Sequence, residues 1–184
     1  MRLFVERVPS PIGTILLISD GDALRALDFE DFADRMHVLL RRYEGECELT
    51  PGRAAGGAAE RIAAYFAGEL TALDDIPVRT GGSDFQRRVW AALRQIPAGT
   101  TTSYGRLAAA IGAPTASRAV GLANGANPVA LVVPCHRVIG ADGSLTGYGG
   151  GLPRKAWLLR HEGGRATGML PLGAACAAAT GLAA

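Results

Sequence analysis

The stretch Thr101–Gly140 reads TTSYGRLAAAIGAPTASRAVGLANGANPVALVVPCHRVIG. Its first half holds two short helical segments, TTSYGRLAAAIG and TASRAVGLA, joined through Gly112, Ala113 and Pro114. Two short helices with a glycine-containing turn form the pattern of a helix-turn-helix. Asn124-Gly125 is expected to stop the second helix. Asn127-Pro128 then opens a turn, and VALVV predicts a short buried strand that Pro134 ends, because proline has no N–H to give to a ladder. Cys135 and His136 stand side by side at that break. In a regular strand neighbours face opposite sides; a break lets both serve one site.

The second helix is built from small residues: Ala116, Ser117, Ala119, Gly121 and Ala123. Arg118 is the only charged residue between Arg106 and Arg137. A helix that reads base edges in the major groove needs several long polar side chains, and this one has almost none. It suits close approach of backbone to a nucleic acid, with one arginine pushed in, as in sequence-tolerant minor-groove binding. Tight packing on a neighbouring helix would also use small residues.

Upstream, Ser83 and Gln86 form an S-x-x-Q capping box ahead of a helix whose apolar face is Phe85, Val89, Leu93 and Ile96, ended by Pro97-Ala98-Gly99. Thr80-Gly81-Gly82 marks a boundary. Before it, RLFVERV, TILLIS and ALRALDF are separated by turn signals and predict a β-meander. DFADRMHVLLRRYEG and AAERIAAYFAG predict two helices. Residues 1–80 look like scaffold, with no constellation that demands chemistry. Downstream, LTGYGGG is a glycine-rich loop and LPRKAWLLRHEG a final helix. The fold class is therefore α/β in the α+β sense. An N-terminal β-meander with helices (1–80) precedes a mainly helical part with a helix-turn-helix and a short active-site strand (81–163). A Gly/Ala-rich tail (164–184) is expected to be mobile, with Cys176 incidental.

The 184 residues are 48% hydrophobic and 20% charged, enough for a real core. No run is long enough to span a membrane, and charges interrupt the first apolar residues, so no secretory signal is expected. Three scattered cysteines, Cys47, Cys135 and Cys176, argue against a disulfide framework and for a cytoplasmic location. Net charge is +2, yet residues 1–80 carry 14 Asp/Glu and 9 Arg (net −5), and residues 81–184 carry 3 Asp/Glu and 10 Lys/Arg (net +7). A basic half suggests a polyanion partner; a merely solvated face is the alternative.

A free thiol has a pKa of about 8.5 and needs help to become a thiolate. His136 can take its proton, and a carboxylate would orient the imidazole. The basic half offers Asp84, Asp142 and Glu162. Helix capping explains the first and a turn the second, which leaves Glu162.

The blocks FQRRVW, IPAGTTTSYGRLA, RAVGLANGANP, PCHRVIG and GYGGGLPRKAWLLRHEG, in this order, resemble the O6-methylguanine-DNA methyltransferases. The opening, from RLFVERVPSPIG to YFAGEL, is similar to their bacterial Ogt-type branch. The resemblance implies irreversible, single-turnover transfer of the alkyl group from O6-alkylguanine, and O4-alkylthymine as a further substrate, to a cysteine. It implies double-stranded DNA bound through the minor groove with the damaged base flipped out, by a monomer, with cooperativity along DNA left open.

By the same resemblance Cys135 is the alkyl acceptor and His136 a water-mediated base oriented by Glu162. Tyr104 donates to the guanine ring, and Asn127 braces the turn before the active-site strand. Arg118 enters the base stack, and Ala116, Ser117, Ala119 and Gly121 meet the minor groove. The carbonyls of Cys135 and Val138 accept from the exocyclic amine. Tyr148 and Gly149 close over the base, with the Gly149 N–H toward O6; some relatives have serine at Gly149. No cofactor is expected. No metal is expected either, since residues 1–80 hold only Cys47 and His37 as Cys or His, too few for a closed zinc site. Two other readings use the same residues: a Cys-His-Glu hydrolase that turns over, and a non-catalytic lesion-sensing DNA-binding protein, against which Cys135 argues.

Overall fold

The computed structural model describes residues 1–163; the expectation of a mobile 164–184 tail, Cys176 included, lies outside the described residues. The expected meander forms as β1 (Arg2–Val8), β2 (Ile15–Ser19) and β3 (Leu24–Phe29), antiparallel in sequence. Helix α1 (Ala33–Glu44) follows, and then a strand absent from the sequence reading, β4 (Glu48–Pro51), which pairs parallel with β1 to give the order β3-β2-β1-β4. Its four residues, ELTP, two half-buried between two exposed, carry too little pattern to stand out.

Every residue of β2 is buried, because the sheet is covered on both faces. Leu16 and Ile18 pack with Leu3, Ala26, Met36 and Leu40 under α1. Ile15 and Leu17, pointing the other way, enter a larger cluster that continues through Val89, Trp90, Val120 and Leu158. One apolar core thus runs from the N-terminal sheet into the C-terminal half. Helix α2 (Ala58–Phe66) buries Ile62 and Tyr65 in it.

The C-terminal half begins with α3 (Asp84–Leu93), whose capping box forms as expected: Ser83 Oγ accepts from the Gln86 N–H, and Gln86 Oε1 accepts from the Ser83 N–H. Strand β5 (Thr102–Ser103) leads into α4 (Tyr104–Ala110), and a turn with Gly112 at φ 72° leads to α5 (Ser117–Gly125), completing the helix-turn-helix. α5 runs through Asn124 and Gly125 instead of stopping before them. The buried Asn124 amide reaches out of the helix, to the Cys135 carbonyl at 3.4 Å, and does not compete with the helix's own bonds.

The predicted strand over 129–133 does not form. Only Val129 bridges to Leu27. Two prolines flank the segment and cannot donate, and Leu131 takes a left-handed φ of 70°, which a strand cannot hold. Asn127 replaces the missing ladder: its Nδ2 donates to the Val133 carbonyl at 2.8 Å and its Oδ1 accepts from the Val129 N–H at 3.0 Å. Cys135 therefore opens a 3-10 turn, Cys135–Arg137, before the two-residue strand β6 (Val138–Ile139), parallel to β5. Helix α6 (Leu152–His161) closes the described chain.

The free edge of β3 is covered twice. Leu24 exchanges backbone bonds with Pro77 and Arg79, and Leu27 with Pro128 and Ala130, at 2.8–3.0 Å.

Candidate active site

A 3-10 turn advances about a third of a rotation per residue, so Cys135, His136 and Arg137 point three ways from one buried turn. The Cys135 side chain lines a cavity of about 270 Å³ with Tyr104, Gly121, Asn124, Gly125, Gly147, Tyr148 and Gly149. A larger surface hollow, about 650 Å³, lies between α1 and β4 near His37 and Cys47. Among the described residues no group of three His, Cys, Asp or Glu side chains could hold a metal ion.

His136 is fully buried, with Nε2 2.9 Å from Glu162 Oε1. Its Nδ1 is buried with no hydrogen-bond partner. A carboxylate only accepts, so Nε2 carries the hydrogen and Nδ1 keeps its lone pair. Burial pushes the imidazole below its ordinary value, only partly offset by Glu162; it is neutral at neutral pH and competent as a base. Of the three carboxylates weighed from sequence, Asp84 pairs with Arg87, and Asp142 accepts from the Ser144 N–H and hydroxyl. Glu162 alone reaches the imidazole.

Glu162 does more than orient His136. It accepts from Arg137 Nη2 (2.8 Å) and Nε (3.0 Å) and from the Tyr65 hydroxyl (2.8 Å). Burial works against its charge, but the bonds from His136 and Arg137 outweigh it and hold the carboxyl well below the usual range. Arg137 also donates to the Ile96 carbonyl at 2.5 Å. The 4% exposed Cys135 has its thiol pushed up by burial, with Asn127, Arg35 and Lys155 pulling back. A resting thiol is the result, to be deprotonated at the moment of use.

Three functional groups were missed by the sequence reading. Lys155 is fully buried, and its Nζ donates to the carbonyls of Val138 (2.6 Å), Thr146 (2.6 Å) and Gly147 (3.2 Å); burial brings it down to about 8. One lone pair of the Val138 carbonyl is thereby used and one remains. Arg35, from α1, pairs with the buried Asp28 and donates to the carbonyls of Gly125 (2.8 Å) and Asn127 (3.1 Å). A Cβ on Gly149 would meet the Arg35 guanidinium at 2.6 Å, so serine at this position conflicts with Arg35 as placed. Tyr65 is the third. Each sits on a helix that carries other polar residues, with partners on elements that only the fold brings near; spacing carries no sign of it.

Tyr104 heads α4 on the cavity wall and accepts a bond from the Thr146 hydroxyl at 3.2 Å. Tyr148 sets its ring edge-on to His136, centroids 6.4 Å apart, with its hydroxyl buried and unpaired. Arg118, Ser117 and Ala119 are exposed near the start of α5, Ala116 and Gly121 half-buried. No carboxylate or carbonyl pairs with Arg118 among the described residues. One turn on, Leu122 is 71% exposed, the most exposed large apolar side chain described. No helix among the described residues is long and apolar enough to cross a membrane.

Residues 84–164 match the DNA-binding domain, and residues 4–80 the ribonuclease-like domain, of 6-O-methylguanine DNA methyltransferase. The chain is 51% identical over 167 residues to the methylated-DNA--protein-cysteine methyltransferase of Salmonella typhimurium, covering 89% of this chain and 97% of that protein. It is 50% identical over 167 residues to the protein of the same name from Mycobacterium tuberculosis, covering 90% and 95%. A crystal structure of Mycobacterium tuberculosis OGT in complex with DNA superposes with a TM-score of 0.74 at 48% identity, covering 89% and 93%.

Proposed function

The chain belongs to the 6-O-methylguanine DNA methyltransferase family, in its Ogt-type branch, and from that premise we propose that Cys135 is the residue that takes the alkyl group. The activity is direct-reversal DNA repair, in which an alkyl group passes from O6-alkylguanine in DNA to a cysteine of the protein. DNA is the partner. The observation that carries the assignment is Cys135 on the cavity wall, followed in the same turn by a neutral His136 whose Nε2 is committed to Glu162 and whose Nδ1 has no protein partner.

In this reading a single copy of the chain lays α5 in the minor groove of duplex DNA, where Ala116, Ser117, Ala119 and Gly121 admit the backbone. The unpaired Arg118 enters the stack as the damaged base flips out into the cavity. The carbonyls of Cys135 and Val138 accept from the exocyclic amine, the Gly149 N–H meets O6, and Tyr104 donates to the ring. Tyr148 closes over the base, and Asn127 holds the turn beneath it. His136 Nδ1 draws the thiol proton through a water. The sulfur attacks the alkyl carbon, the S–C bond forms as the C–O6 bond breaks, and the electron pair leaves on the base. The thiol's proton ends on the released guanine, so the step balances without a cofactor or metal. A thioether does not hydrolyse under mild conditions, so each molecule acts once. O4-alkylthymine meets the same donors. Residues 81–163 bind and react; residues 1–80 support them. The scattered cysteines of the sequence suit a cytoplasmic location.

Intact-protein mass and peptide mapping after mixing with a duplex holding one O6-methylguanine test this. A stoichiometric gain of one methylene on Cys135 is expected, and none in Cys135→Ala. Lesion loss with no mass gain would replace the reading with turnover; a gain on another residue would remove Cys135.

A further inference from the structure

Glu162 receives four hydrogen bonds, and three converge on Oε1: from His136 Nε2, Arg137 Nη2 and the Tyr65 hydroxyl. Two of these donors come from the turn that bears Cys135. The third comes from α2, ninety-seven residues earlier in the chain. We propose that Tyr65 is a positioning residue for alkyl transfer, which fixes the Glu162 carboxylate against His136 and tempers the proton affinity of the imidazole. The proposal rests on the assignment of Cys135 and His136 above.

Packing alone does not require a tyrosine here. The ring is fully buried, edge-on to Phe66 (centroids 5.2 Å) and to His161 (5.1 Å), and phenylalanine would fill the same space. The hydroxyl adds a group that costs free energy to bury unless it is bonded, and its one partner is Glu162. The carboxylate already has Arg137 on both oxygens, so its charge is compensated without Tyr65. The hydroxyl instead does two things the arginine does not. It ties the carboxylate to a second element, whose main chain is held as well: His161 Nε2 bonds the Tyr65 carbonyl at 2.8 Å. It also shares the oxygen that faces His136, and so draws charge away from the bond that would stabilise an imidazolium.

The ionisable groups around His136 and Glu162 are Arg137 and Cys135 on the same turn, Tyr65 from α2, Tyr148 from the glycine-rich loop, and Lys155 and His161 from α6. Removing the Tyr65 hydroxyl leaves Oε1 richer in charge. The imidazolium is then stabilised, and the pH below which His136 stops accepting the thiol proton rises.

The measurement is the single-turnover rate of methyl transfer to Cys135, from duplex O6-methylguanine, between about pH 5 and pH 8. In Tyr65→Phe the acid limb is expected to move to higher pH by about half to one unit, a roughly three- to tenfold slower rate on the limb. The methylene on Cys135 should still accumulate to completion. Where the phenylalanine variant does not fold, 3-fluorotyrosine at Tyr65, a stronger donor, should move the limb the other way. A Tyr65→Phe protein with lowered thermal stability and an unmoved limb would make Tyr65 a packing residue and overturn the proposal. An unmoved limb with 3-fluorotyrosine would do the same. A wild-type protein that gains no mass on Cys135 would remove the assignment on which Tyr65 depends, and the proposal with it.

Discussion

The two halves of the molecule hold their backbones in different ways. In the N-terminal half, β1 to β4 pair through continuous ladders, and side chains fill the two faces. Among the described residues of the C-terminal half the only regular pairing is two residues of β5 against two of β6. Around the Cys135 turn, local backbone bonds are supplemented by side chains. Asn127 spans the turn before Cys135, Asn124 reaches the Cys135 carbonyl, Lys155 gathers three carbonyls, and Arg35 crosses from α1 to two more. A ladder satisfies the backbone groups between its strands by repetition and leaves none there to offer. Side-chain clamps satisfy selected groups and leave others free, which suits a surface that must present its own carbonyls and N–H groups to a base.

The change that should disturb this contrast most is Glu162→Gln, which leaves the buried Arg137 guanidinium without its anion. A loss of about 3–5 kcal/mol is expected from breaking one side of a buried pair, read by urea unfolding, with transfer nearly abolished. The wild type supplies the sign. The Glu162 carboxyl is depressed in the fold, so its contribution is present above the unfolded carboxylate range and is lost as pH falls through the folded value. The variant's unfolding free energy should therefore fall less steeply on acidification; an unchanged slope would contradict the placement of this charge.

Next in size is a matched pair. Leu17→Ala, in β2, should cost about 2–5 kcal/mol by leaving a cavity, while transfer per folded molecule stays near wild type. Asn127→Ala orphans the buried Val129 N–H, worth about 1–3 kcal/mol, leaves the Val133 carbonyl with the Cys135 N–H alone, and should lower the transfer rate as well as stability. Equal rate losses from the two would erase the distinction between ladder and clamp.

Arg118→Ala touches neither. It should leave thermal stability unchanged, slow repair in duplex DNA more than reaction with the free base, and lower the salt slope of binding by about one. Ser83→Ala is the smallest change, about 1 kcal/mol from a lost helix cap, with transfer untouched.

The same contrast explains what the sequence revealed. Apolar runs between turn signals reported the meander, and helical spacing reported α1 and the face of α3, because an amphipathic helix repeats. The Ser83–Gln86 box was readable because both partners lie within one turn. Cys135, His136 and Glu162 emerged from adjacency and elimination, and their family from five blocks in order. The strand expected before Cys135 failed because VALVV looks the same in a ladder and in a clamped turn; only Asn127, read as a brace, hinted at the difference. Tyr65, Arg35 and Lys155 stayed hidden because a polar residue on a helix, among others of its kind, names no partner until the chain has folded.

The coverage of the β3 edge carries a consequence for the order in which the protein is made. Leu27 is bonded to residues a hundred positions later, and contacts of that sequence separation form late. A chain synthesised from its N-terminus completes the meander first, covers the Leu24 end of the β3 edge with residues 77–79, and leaves the Leu27 end open until residues 128–130 arrive. The turn that bears the reactive sulfur is thus assembled on a finished platform. Amide exchange at Leu27 and Ala130 should report one shared opening event; separate protection at the two would show that the thiol's turn can form without the sheet. If they open together, no partly made molecule carries a competent thiol, a useful property in a protein that can spend its sulfur once.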